Sequence, residues 1–96
     1  MNLIGTTEAL ILVILEEVGR DYGYSVANRL KHRLGGGAAA SHKGINLALR
    51  RMAVAGLVRY SPNGDVPPAE FRRQYYEPTD EGRQALEKLR SVMAKK

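Results

Sequence analysis

Lys43, Asn46 and Arg50 are the residues of this chain whose types and spacing most clearly imply chemistry. At 3.6 residues per turn they fall within an arc of about 60° on one helix face. Such donors suit phosphate oxygens and base edges. Arg pairs bidentately with guanine, and Asn does so with adenine. A bidentate Arg–guanine pair supplies ~1–3 kcal/mol of discrimination, which makes Arg50 the first candidate for such a contact. Ser41 and His42 sit with Lys43 at the start of the same segment, where a helix N-terminus favours phosphate. Arg51 falls between the polar and apolar faces. Further on, Arg72 and Arg73 suit a strand lying on a phosphate backbone, or an edge strand kept soluble by charge.

Other chemistries lack their residues. The chain has no cysteine, so a disulfide framework, a thiolate metal site and a thiol nucleophile are all excluded. His32 and His42 lie on different segments, away from any acidic cluster and outside any ligand spacing. Ser25, Ser41, Ser61 and Ser91 have no nucleophile motif around them. The run 35–40, GGGAAA, lacks the Lys-Ser/Thr and the preceding strand of a phosphate loop and reads as a connector. The expectation is a protein that is not an enzyme and carries no cofactor or metal.

Charge distribution supports a polyanion partner. The formal net charge is +5, but residues 20–60 alone hold eight Lys/Arg against one acid, Asp21, while residues 1–19 hold three acids and no base. Ninety-six residues allow one domain. A chain of that size buries about 60–65% of its unfolded surface, so dimerisation is the expected way to complete its core. The longest apolar run, 9–15, is too short for a membrane span, and no signal peptide is evident; a cytoplasmic protein is expected.

The elements that position these residues follow from periodicity and caps. A first helix over 6–18 is capped by Thr6 or Thr7, has Glu8 in its first turn, and is apolar all round through ALILVIL. Residues 20–23 read as a turn, and 24–34 as a second helix with Val26, Ala27, Leu30 and Leu34 inward. Ser41 caps a third helix over 41–55, with Ile45, Leu49 and Met52 as its apolar stripe. Residues 57–77 form a β-hairpin: a strand at 57–61, a turn at Pro62-Asn63-Gly64-Asp65, a loop prolonged by Pro67-Pro68, and a return strand at 71–77. That return strand puts Tyr75 and Tyr76 on opposite faces, where packing is favoured over stacking on a base. Thr79 caps a fourth helix over 79–94, whose apolar stripe is Ala85, Leu86, Leu89, Val92 and Met93. This stripe follows a domain already complete and calls for a partner. Leu10, Val13 and Ile14 of a second copy, with Leu86, Leu89, Val92 and Met93, would satisfy both chains. The fold class is mainly α with a small β-hairpin, a winged helix-turn-helix with an added C-terminal dimerisation helix.

Four pieces of sequence, in register, resemble the PadR family of transcriptional regulators. They are Tyr22-Gly23-Tyr24 followed by Val26-Ala27-Asn28-Arg29-Leu30; Ala48-Leu49-Arg50-Arg51-Met52 followed by Ala55-Gly56-Leu57-Val58; Arg72-Arg73 before Tyr75-Tyr76; and Thr79-Asp80-Glu81-Gly82. The resemblance covers roughly residues 6–93. It implies a repressor that dimerises through its first and last helices and binds operator DNA with the third helix in the major groove and the wing on the backbone. Small-molecule responses are common in that family, and the interface of first and last helices is a place for an apolar effector. The chain departs from the family pattern at the third helix. Asn46 and Leu47 stand where Tyr-Pro is usual, Lys43 where Gly is common with Gly44 one place later, and Pro78 where an aliphatic residue is usual. The operator sequence therefore cannot be carried over. Two alternatives stay open: a winged-helix module that binds protein, and a nucleic-acid-binding protein without sequence preference.

Overall fold

The computed structural model describes residues 4–34, 41–61 and 74–94. In chain order the elements are α1 (Thr6–Val18), β1 (Asp21–Tyr22), α2 (Gly23–Arg33), α3 (His42–Val54), β2 (Val58–Tyr60), β3 (Tyr75–Pro78) and α4 (Asp80–Ala94). The three strands form an antiparallel sheet in the order β1-β3-β2. Asp21 faces Tyr76 and Tyr22 faces Tyr75 on one side of β3, and Val58, Arg59 and Tyr60 face Pro78, Glu77 and Tyr76 on the other. This is the α+β winged-helix arrangement that the sequence predicts.

The uniformly apolar α1 becomes the centre of the core. Ile11, Leu12, Ile14 and Leu15 are fully buried, and around them pack Val26, Ala27 and Leu30 of α2, Ile45, Ala48, Leu49 and Met52 of α3, Val58, Tyr76 and Leu86. Leu10, Val13 and Leu89 are half-buried at its margin. Burying each large aliphatic side chain contributes about 1.5–3 kcal/mol relative to leaving it in water, which ties all four helices to one another.

Several boundaries differ from the sequence expectation. Gly5, not Thr6 or Thr7, is the N-cap of α1 and makes no side-chain cap bond, because Thr6 and Thr7 are already inside the helix. The expected turn at 20–23 contains β1, and α2 starts at Gly23. Two residues are too few to show an alternation; only pairing with β3 reveals this strand. Leu34, expected inward, is 44% exposed because α2 ends at Arg33 and Leu34 is its C-cap. Tyr75 and Tyr76 are both buried, Tyr76 in the core and Tyr75 against Tyr22 with ring centroids 5.2 Å apart. The expected turn 62–65, Pro67-Pro68, the strand start at 71–73 and the connector 35–40 lie outside the described residues.

The Thr79-Asp80-Glu81-Gly82 stretch fastens the end of α3 to the start of α4. The Thr79 hydroxyl donates to the Gly56 carbonyl and accepts from the Gly82 N–H at 3.0 Å. The Thr79 N–H donates to the Leu57 carbonyl at 3.2 Å. Gly82 is needed for this approach: a Cβ there would stand 2.1 Å from the Leu57 oxygen. Asp80 and Glu81 lie in the first turn, where the helix dipole favours acids.

Candidate nucleic-acid interface

Helix α3 has one face in the core and one in solvent. Ile45, Ala48, Leu49 and Met52 are buried, whereas Lys43, Asn46, Leu47, Arg50 and Arg51 are exposed. The helix starts at a true cap, with the Gly44 N–H donating to Ser41 Oγ at 3.0 Å. It ends in a turn at Gly56 that leads into β2, closed by the Leu57 N–H on the Met52 carbonyl at 2.8 Å. Anchored at both ends and along one side, α3 presents its outer face as a rigid surface.

Lys43, Arg50 and Arg51 make no ion pair among the described residues. The cations around them differ. Arg29 Nε lies 2.9 Å from Asp21 Oδ2, Arg33 pairs with Glu17, and Arg59 lies 2.5 Å from Glu77. Arg50 interacts with the Tyr76 hydroxyl, which also meets Tyr60 of β2. Burial pushes the Tyr76 phenol above its ordinary range and a nearby Tyr60 charge adds to this, while Arg50 opposes it. The contact joins α3 to the sheet.

Asn46 is placed differently from Lys43 and Arg50. Its amide donates to the His42 carbonyl one turn back at 3.0 Å, and its Oδ1 lies over Gly23 at the start of α2. A Cβ on Gly23 would be 2.0 Å from that oxygen, so Gly23 makes the room in which Asn46 lies. His42 stacks on Tyr24 with centroids 4.2 Å apart and rings inclined by 27°. Its Nε2 is 3.5 Å from Asn28 Oδ1. The structure thus brings Ser41, His42, Lys43, Asn46, Arg50 and Arg51 onto one helix, and Arg72 and Arg73 lie outside the described residues.

At this surface the sequence did not single out Gly23 and Tyr24 as contacts of α3, and it marked Leu47 only as a departure from the family pattern. The Tyr22-Gly23-Tyr24 stretch was visible as a pattern, but its meaning depends on α3 crossing it. Leu47, 45% exposed, lies on the outer face, one turn along the helix from both Lys43 and Arg50. Of the residues expected at a dimer contact, Ile14 and Leu86 are buried inside this chain, Leu10, Val13 and Leu89 are half-buried, and Val92 and Met93 are 50% and 65% exposed. Among the described residues no group of three His, Cys, Asp or Glu could hold a metal, and no helix is long and apolar enough to cross a membrane.

The fold is shared with solved regulators. A transcriptional regulator from Clostridium thermocellum superposes with a TM-score of 0.73 at 18% identity, covering 96% of this chain and 89% of that one. A PadR family transcription regulator from Clostridium difficile R20291 gives 0.70 at 29% identity, over 92% and 86%. Bacillus subtilis PadR, solved in complex with operator DNA, gives 0.68 at 25% identity; 88% of this chain aligns with 46% of that one. No curated protein sequence matches significantly. The sequence matches the PadR-like family of transcriptional regulators over residues 11–88, and the chain belongs to that family.

Proposed function

We propose that this chain is a sequence-specific DNA-binding repressor of the cytoplasm that works as a homodimer, with α3 in the major groove and the segment between β2 and β3 against the phosphate backbone. The observation that carries this reading is the outer face of α3, where Lys43 and Arg50 are exposed with no ion pair among the described residues while the opposite face is locked into the core. A groove-binding helix needs that division: apolar contacts hold it, and unengaged donors reach phosphates and base edges. The operator complex of the Bacillus subtilis relative supports the same use of the fold.

Two copies are joined through α1 and α4. Val92 and Met93 continue the apolar stripe of α4 beyond the core, and Leu10, Val13 and Leu89 are half-buried, while Ile14 and Leu86 support this seam from inside each protomer. The seam is also the place for an apolar effector.

Fluorescence anisotropy with the chain's own upstream DNA, titrated across salt, tests the proposal. Neutralising six to ten phosphates gives a log–log slope of about −5 to −9. Equal affinity for every duplex would replace specific regulation by general nucleic-acid binding. No binding at low salt would favour a protein-interaction module, as would a protein partner retained after Lys43, Asn46 and Arg50 are all changed to Ala. Sedimentation equilibrium at the same concentration reports the dimer.

A further inference from the structure

We infer that Leu47 is a specificity-determining residue that reads the 5-methyl group of a thymine in the major groove, an inference that rests on the DNA-binding reading above. At about 100° per residue, Lys43, Leu47, Arg50 and Val54 fall within about 60° of one another and form the centre of the exposed face. Asn46 lies to one side of that line, toward α2, with one amide donor on the His42 carbonyl and its oxygen over Gly23. Leu47 is thus the apolar member of this arc in the N-terminal half of α3, one turn along the axis from each of two cations that make no ion pair among the described residues.

Leu47 has no part in the buried core and is 45% exposed. Val54 is 91% exposed but stands at the last position of α3, whereas Leu47 lies in the N-terminal half, the part of a recognition helix that meets base edges. Lys43 and Arg50, one turn to either side, match the charge of flanking phosphates and fix which surface Leu47 meets. Major-groove edges present donors, acceptors and one apolar group, the thymine methyl. An aliphatic side chain delivered there gains by covering that methyl and loses against the polar edges of other bases.

The test uses the whole 96-residue chain. Selection from a random duplex pool yields its preferred site, and each thymine of that site is then replaced singly by deoxyuridine, which removes only the methyl. Wild-type protein is expected to lose about fourfold in affinity per half-site at one thymine, the effect of exposing one methyl group. Leu47→Ala is expected to start weaker by a similar factor and to be indifferent to deoxyuridine at that position. Leu47→Met, which keeps an aliphatic tip, is expected to restore the response. Unchanged thermal unfolding would confirm that both variants are folded. An enriched site at which wild type and Leu47→Ala respond alike to every deoxyuridine would overturn this inference and leave the regulator reading intact. A pool without enrichment would overturn both.

Discussion

Helices α2 and α3 each carry three Lys/Arg and no acid: Arg29, Lys31 and Arg33 on the first, Lys43, Arg50 and Arg51 on the second. By sequence they are equally basic. Among the described residues α2 forms ion pairs with acids and α3 does not, although Glu8 of α1 lines the same groove as Arg51. Asp21, 4% exposed, accepts from Arg29 Nε, from the Ser25 hydroxyl and from the Tyr22 N–H. Glu17 of α1 pairs with Arg33. Two of the three α2 cations thus fasten that helix to its neighbours, whereas the three on α3 make no ion pair among the described residues, with Arg50 reaching the Tyr76 hydroxyl. Segment charge locates a basic region, but only pairing separates the cations that hold the fold from those that can hold a ligand.

The largest effect should come from the α3 side. Lys43→Ala combined with Arg50→Ala removes two of the exposed cations through which α3 is proposed to meet DNA. Anisotropy should show affinity falling by at least about 100-fold at moderate salt, and a salt slope shallower by about 0.9 for each phosphate that is no longer neutralised. Chemical denaturation should register only a small change, within about 0.5 kcal/mol per exposed residue. A large drop in stability with an unchanged slope would place α3 in the structural class with α2 and end the contrast.

On the α2 side the expectation is reversed. Asp21→Ala strips three donors of their buried acceptor and should cost about 1–3 kcal/mol, read as a lower urea midpoint with the m-value unchanged. The salt slope of DNA binding should stay as in wild type. Arg33→Ala should do less. Its pair with Glu17 is about half exposed on both sides, and surface pairs of that kind contribute about 0–1 kcal/mol. A salt slope reduced by Arg33→Ala would move this residue into the DNA footprint and sharpen the boundary between the two helices.

The elements with a strong local signal were legible in the sequence. The apolar α1, the two-faced α3 and the Ser41 and Thr79 caps depend on residues within one or two turns of each other. What escaped depends on residues brought together from a distance. Strand β1 exists only because β3, more than 50 positions later, pairs with it. The Arg33–Glu17 and Arg59–Glu77 pairs join residues 16 and 18 positions apart on different elements. Asn46 looked like a base reader from its angular position alone. Its contact with Gly23 could be seen only once α2 crossed α3.

The smallest effect concerns Arg59 on β2, exposed and paired like Arg29 and Arg33 but placed on the sheet. Arg59 donates to Glu77 across the β2–β3 register, and this hydrogen bond holds the Glu77 carboxyl below its ordinary value; burial works against it and Ser61 assists. A carboxyl with a depressed folded-state value adds stability above the unfolded value of about 4.3–4.5, and that stability disappears as pH falls through the folded value. The stability difference between wild type and Glu77→Gln should therefore be constant above about pH 6 and shrink as the solution is acidified below about pH 4, because protonated Glu77 no longer has a charge to offer Arg59. Arg59 is mostly exposed, so solvent screening keeps the difference small and added salt should reduce it. If the difference instead widened on acidification, Glu77 would be serving as a neutral hydrogen-bonding group, and Arg59 would join the α3 cations as a donor open to phosphate.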